Sequence, residues 1–175
     1  DIGVALSDTT KIAAAAPIRN AADLANTGKA TISAGVVTDT TNAAFATPGD
    51  RVLVEHPTYP NAIDAVHARG ARCVPLPLDL GSAGADAWDL DLMTATMRDA
   101  APRLAYLVPD HQNPTGLSMR AADRERLVSL ARATRTPLVI DEAIVGLHLE
   151  GSPQPSIAGL DPAGETVITI GSMSK

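Results

Sequence analysis

The sequence predicts an α/β fold of three layers, with a mainly parallel sheet between helices. Three observations carry that expectation. Short apolar runs rich in Val, Leu and Ile recur from residue 51 onward. Between them lie segments whose apolar residues repeat at helical spacing. Glycines and prolines punctuate the junctions. Strands that alternate with helices require crossover connections, which make neighbouring strands parallel and cover both faces of the sheet.

"RVLVE" (51–55) is a β-branched apolar run entered through the turn Pro48-Gly49-Asp50, and it predicts a strand. "NAIDAVHARG" (61–70) has helical spacing and stops at Gly70, a residue suited to ending a helix. "ARCVPLPL" (71–78) reads as a strand whose two prolines place it at an edge or at a strand end. "DLDLMTATMRDA" (89–100) sets Leu90, Met93 and Met97 on one helical face. "RLAYLVP" (103–109) predicts a strand. "MRAADRERLVSLARATR" (119–135) is the best-formed helical pattern, with Leu127, Leu130 and Ala131 on one face and the charges on the other. "PLVIDEA" (137–143) and "TVITIGS" (166–172) complete the strands. Earlier in the chain, "KIAAAAPIRNAADLANTG" (11–28) gives Ala-rich helical pieces broken by Pro17, and "KATISAGVV" (29–37) fits a further strand.

Four of the apolar strands end in polar or aromatic groups. Tyr59 follows the first, Asn113 follows "RLAYLVP", Asp141 closes "PLVI", and Ser172, Ser174 and Lys175 follow "TVITI". In a parallel sheet these ends share one rim, the rim where ligands gather. Taken singly, each residue has an ordinary explanation. Asn113 suits a turn, Asp141 a strand-end cap, Tyr59 packing beside two prolines, and Lys175 a solvated surface.

Composition narrows the function classes. The chain has 175 residues, 45% of them hydrophobic, 2% aromatic and 19% charged, which fits one globular domain with a core of Ala, Val, Leu and Ile. A net charge of −6 argues against a nucleic-acid-binding face on this segment. The one cysteine, Cys73, is expected to act as a small buried hydrophobe, and a reducing, cytoplasmic setting is expected. No run has the length of a membrane span, and no signal peptide is predicted. His56, His67, His111 and His148 lack metal-ligand spacing, so no metal site is expected. The chain opens on Asp1 and closes on Lys175 directly after an apolar run. Both ends read as cut, and a piece of a longer protein is expected.

The segments "PGDRVLVEHPTYPNAIDAV", "NPTG", "DEA" and "GSMSK" resemble, in this order and spacing, the large domain of fold-type-I enzymes that use pyridoxal 5′-phosphate, the class I/II aminotransferases. The wording is closer still to the aminotransferase-like domain of MocR-type regulators of the GntR family, in which a winged-helix domain precedes such a fold. The resemblance covers residues 48–175, read as the central part of the domain, with residues 1–47 as a poorly matched N-terminal part. It implies that Asn113 donates a hydrogen bond to the phenolic oxygen of the cofactor, with Pro114 and Gly116 shaping the turn. Asp141 pairs with the pyridinium nitrogen and keeps it protonated, which makes the ring a better electron sink. Lys175 supplies the amine that binds the cofactor as a Schiff base, and so is the catalytic residue. Ser172 and Ser174 contact the phosphate, and Tyr59 stacks on the ring.

Two departures stand out. Many aminotransferases carry a tyrosine three residues after the aspartate, as a second donor to the phenolic oxygen; here that position is Ile144, which cannot donate. Some regulator-type members also lack this tyrosine. The phosphate-cradling segment expected upstream at a helix N-terminus matches loosely, with Ser33, Ala34 and Gly35 as its candidates. The N-terminal third is either divergent or derived from altered coding sequence.

The expectation is therefore a fragment of a pyridoxal-phosphate-binding domain, the effector domain of a MocR-type transcriptional regulator, inactive by itself as an enzyme. Its ligand is an amino acid or amine, the full-length protein is a homodimer, and DNA is contacted through a domain outside this chain. The alternatives are a free-standing aminotransferase and a scaffold that has lost the cofactor.

Overall fold

A computed structural model describes residues 46–81, 87–147 and 154–171 of the chain. The helix and strand expected over 11–37 lie outside the described residues, as do Ser33, Ala34, Gly35, His148, Ser172, Ser174 and Lys175.

Five strands form one sheet: β1 (Arg51–His56), β2 (Arg72–Pro77), β3 (Leu104–Leu107), β4 (Leu138–Asp141) and β5 (Val167–Ile170). Their order across the sheet is β2-β1-β3-β4-β5, and every neighbouring pair is parallel. Three helices make the crossovers: α1 (Pro60–Ala68), α2 (Leu90–Ala100) and α3 (Ala121–Thr134). A 3₁₀ turn (Ile157–Leu160) precedes β5.

Side chains alternate across each strand, so each face of the sheet has its own core. On one face Leu53, Ala105, Leu107, Leu138 and Ile140 pack under α2 and α3, against Met93, Met97, Leu127 and Ala131. On the other, Val52, Val54, Leu104, Tyr106 and Val139 pack with Ala62 and Val66 of α1. These are the three layers the alternation of strands and helices predicts. Each fully buried Leu or Met side chain stabilises the fold by about 1.5–3 kcal/mol.

Local chemistry sets the boundaries. Pro60 opens α1, where its missing N–H leaves no bond unmade. The chain then turns at Gly70 with φ +69°, and a Cβ there would press on Pro48 at 3.2 Å. Asp89 caps α2 by accepting from the backbone N–H groups of Asp91 and Leu92. Asp161 prepares β5, because its Oδ2 accepts from Thr166 N at 2.7 Å and from Val167 N at 2.9 Å. The proline-bearing β2 is an edge strand of the sheet among the described residues, as its two prolines suggest.

Two expectations need correction. The charges of α3 do not all take the outer face: Asp123 and Arg124 are buried with Leu127, Val128 and Ala131. Arg124 is tolerated inside because its donors are satisfied. It forms a two-point ion pair with Asp110 at 2.6 and 3.0 Å, and it donates to the carbonyls of Met119, Pro155 and Pro109. Cys73, expected to be buried, is half-buried, because it lies on the edge strand.

Candidate functional site

The sheet order locates the site before any side chain is considered. From β1 the chain moves outward to β2, then crosses back over β1 to β3 and continues to β4 and β5. The direction reverses between β1 and β3. In open α/β sheets such a reversal leaves a crevice at the carboxyl ends of the two strands, and ligands bind there. Tyr59 follows β1 and Asn113 follows β3, so both predicted residues lie on the loops that flank the reversal.

The loop after β3 is held from below. Glu55, the inward-facing fifth residue of β1, is 1% exposed and accepts three N–H bonds. They come from Trp88 Nε1 at 2.8 Å, Val108 N at 3.1 Å and Gln112 Nε2 at 3.1 Å. Val108 thereby leaves the strand ladder, which is why β3 ends at Leu107 and falls short of the apolar run 103–109. Gln112 is fully buried and uses its whole amide. Its Nε2 also donates to Pro57 O at 2.8 Å, and its Oε1 accepts from Thr115 N at 3.1 Å and Thr115 Oγ1 at 2.6 Å. Gly116, with φ +74°, lets the chain turn back at the end of the motif. Asn113 sits in the middle of this turn with its side chain exposed. The turn is thus more than a connection: its bonds run beneath Asn113 and leave the amide outward.

The second feature lies on the opposite face of the sheet. Asp141 ends β4, and its Oδ2 accepts from Tyr106 Oη at 2.5 Å, while Oδ1 accepts from Ala143 N at 2.9 Å. Tyr106 and Val139 are register partners in β3 and β4, and Asp141, two residues on, faces the same side as Tyr106. Burial and the adjacent Asp141 carboxylate push the Tyr106 phenol above its ordinary pKa, so it stays a donor. Tyr59 is near enough to add to that rise, and its own hydroxyl accepts from Asn61 Nδ2 at 2.8 Å. The residue is 36% exposed. Thr58, beside it, keeps a buried hydroxyl without a hydrogen-bond partner among the described residues.

Tyr59, Asn113 and Asp141 therefore stand at one rim, at the carboxyl ends of β1, β3 and β4. Tyr59, Tyr106 and Asp141 form one group. Asn113 stands apart on its loop, and the described bonds of Asp141 do not include it. β5 ends at the same rim at Ile170; Ser172, Ser174 and Lys175 follow it in sequence. A shallow groove lined by Pro57, Leu80, Pro114, Thr115 and Leu117 borders the loop and includes none of the predicted site residues. Among the described residues no His, Cys, Asp and Glu side chains cluster with metal-binding geometry, and no helix is long and apolar enough to cross a membrane.

Sequence reasoning missed Glu55, Gln112 and Tyr106. Each carried a signal. Glu55 occupies an inward position of an otherwise apolar strand, in phase with Leu53. Gln112 adjoins the turn motif, and Tyr106 is the one hydroxyl-bearing residue of β3.

The residues present suit a cofactor with an aromatic N–H. An ionised carboxylate offers about four acceptor directions, and Asp141 has used two. The comparisons agree. The family model of aminotransferase class I and II matches residues 22–175. The 2-aminoadipate transaminase of Thermus thermophilus is 32% identical over 139 residues, which cover 78% of this chain and 34% of that protein. A probable rhizopine catabolism regulatory protein MocR from Rhizobium meliloti is 33% identical over 127 residues, covering 73% of this chain and 24% of the regulator. The chain thus spans between 24% and 34% of the lengths of these relatives. Among solved structures, the α-aminoadipate aminotransferase LysN of Thermus thermophilus, complexed with N-(5′-phosphopyridoxyl)-L-leucine, superposes with a TM-score of 0.68 at 33% identity, covering 78% of this chain and 34% of that one. The kynurenine aminotransferase of Pyrococcus horikoshii, bound to PMP, gives 0.69 at 29% identity, covering 78% and 33%. Pyridoxal phosphate is the cofactor of this group, and enzymes and transcriptional regulators both occur among the relatives. The parallel sheet, its reversal between β1 and β3 and the match over residues 22–175 place this chain in the class I and II aminotransferase family.

Proposed function

We propose that the chain is the cofactor-binding core of a pyridoxal-phosphate-dependent domain that takes an amino acid or amine, and that this domain serves as the effector domain of a MocR-type regulator. The observation that carries the first half is the Asp141 carboxylate, fixed by Tyr106 and still able to accept. Bound at this rim, the cofactor supplies an electron sink for charge at the ligand's Cα. Asp141 holds the proton on the ring nitrogen. Tyr106 orients Asp141 by donating to its Oδ2. Asn113 donates to the phenolic oxygen, and Tyr59 covers the ring. Ser172 and Ser174 bind the phosphate, and Lys175 supplies the amine that attaches the cofactor.

Ile144 supports the regulatory half of the reading. It stands three residues after Asp141, in the turn that follows β4, and offers no donor. Asn113 is then the one side chain from these two motifs that can donate to the phenolic oxygen. The second reading, a free-standing aminotransferase, is supported by the transaminase relatives. Full-length protein loaded with pyridoxal phosphate and mixed with single amino acids separates the two. The regulator reading expects a change in visible absorbance and in affinity for operator DNA, without sustained transfer to a 2-oxo acid. Sustained transfer with no DNA binding would select the enzyme reading, and no absorbance change with any amine would overturn both.

A further inference from the structure

We propose that Glu55 is a positioning residue whose carboxylate, acting through the Gln112 amide, sets where the Asn113 side chain stands at the rim. The proposal rests on the cofactor-binding reading above and assigns a role to a group that reading does not use.

The chain of contacts is short. Gln112 precedes Asn113, and Thr115 follows it by two residues. Thr115 N and Oγ1 both donate to Gln112 Oε1, so this amide braces the turn around Asn113 from the side-chain end, beside the backbone bonds from Gly116 N to Gln112 O and from Gln112 N to Leu117 O. The orientation of an amide is fixed by what its two ends meet. Gln112 Oε1 must face Thr115 N, a pure donor, and Nε2 must face Glu55 and Pro57 O, which are acceptors. Turned over, the amide would set its NH₂ against an N–H and its oxygen against a carboxylate. Glu55, together with Pro57 O, therefore holds the amide in the one orientation that makes both Thr115 bonds.

Glu55 also joins the two loops of the reversal. It holds the end of β3 through Val108 N, and Gln112 carries the link on to Pro57, two residues before Tyr59. Its second oxygen is taken by Trp88, which fixes the carboxylate from the helix-covered side. All three donors to Glu55 are N–H groups, and each of these bonds favours the ionised carboxylate. Burial opposes ionisation, and the N–H bonds partly offset it.

A structural role alone would make Glu55 a matter of folding; positioning makes it a matter of Asn113. The test is a double-mutant cycle on cofactor affinity in the full-length protein, with Glu55→Gln and Asn113→Ala made singly and together. Glu55→Gln keeps the shape and an acceptor but puts an NH₂ against one of the N–H donors. The expected result is about a tenfold weaker dissociation constant for pyridoxal phosphate in Glu55→Gln, and less than about a twofold further loss when it is added to Asn113→Ala. The pH at which the bound cofactor's visible absorbance changes should move in Glu55→Gln and stay put when Asn113 is already Ala. Fully additive losses, or an unchanged affinity in Glu55→Gln, would overturn the proposal while leaving the cofactor reading intact. Wild-type protein that binds no cofactor would overturn that reading first, and the proposal with it. Should Glu55→Gln fail to fold, Gln112→Ala cuts the same link and is judged by the same non-additivity.

Discussion

Glu55 and Asp141 are two carboxylates at one end of one sheet, and they differ in almost every other respect. Glu55 faces the layer of α2 and α3, is buried, and meets three N–H donors. Asp141 faces the layer of α1, is half-buried, and has two donors. Burial raises Glu55 to about 7 despite its hydrogen bonds. Asp141 keeps acceptor capacity toward the rim. One carboxylate is used up inside the protein; the other, in the proposed reading, serves the cofactor. The contrast shows how a parallel sheet can send two carboxylates at one end, on β1 and β4 with β3 between them, to opposite faces.

Truncation should expose the contrast most strongly. Glu55→Ala leaves three buried N–H groups unpaired, each costing about 1–3 kcal/mol, so a loss of several kcal/mol of stability is expected. Asp141→Ala strands mainly the Tyr106 hydroxyl and should cost about 1–3 kcal/mol. Urea unfolding of both variants measures the difference, and equal losses would break the distinction between support and site. The conservative change Asp141→Asn should invert the ranking. It keeps an acceptor for Tyr106 or Ala143 N, so stability should fall by less than about 1.5 kcal/mol, while pyridoxal phosphate should bind about tenfold more weakly for want of the charge. An Asp141→Asn protein with wild-type cofactor affinity would remove Asp141 from the site.

A smaller effect is expected with pH. Glu55 titrates near 4.5 when unfolded and at about 7 when folded. Between these values the folded state holds more protons, so this group's contribution is fully present below pH 4.5 and is lost as the pH rises through 7. Asp141 on β4 adds to the rise in Glu55, and Tyr106 on β3 lies close to it, while the direct partners Trp88 and Gln112 are uncharged. Replacing Glu55 with Gln should flatten this part of the stability profile. A slope unchanged from wild type between pH 4.5 and 7 would contradict the assignment.

The fold was legible because its signals are local and repeated. Apolar runs such as "RVLVE" and "PLVI" announce buried strands, and Gly70 marks a helix end through backbone chemistry that acts within a few residues. The rim residues Tyr59, Asn113 and Asp141 were legible for a similar reason: each follows an apolar run whose direction the parallel sheet fixes. What stayed hidden depends on pairs far apart in sequence. Nothing near Arg124 says that Asp110 will meet it inside the protein, so its burial contradicted a helical pattern that places charges outward. Glu55 and Gln112 are 57 residues apart, and only the return of the chain from β2 to β3 brings them together. Tyr106 and Asp141, 35 residues apart, meet because β3 and β4 pair in one register.

The most direct test concerns the lysine. The chain has lysines at 11, 29 and 175, and Lys175 follows the strand that ends at the same rim as Asp141. Full-length protein loaded with pyridoxal phosphate, reduced with borohydride, digested and analysed by mass spectrometry should carry the phosphopyridoxyl group on Lys175. Lys175→Ala should abolish the label while some non-covalent binding persists through Asn113, Asp141 and Ser172. A label on Lys11, on Lys29 or on no lysine would contradict the site proposed for this rim.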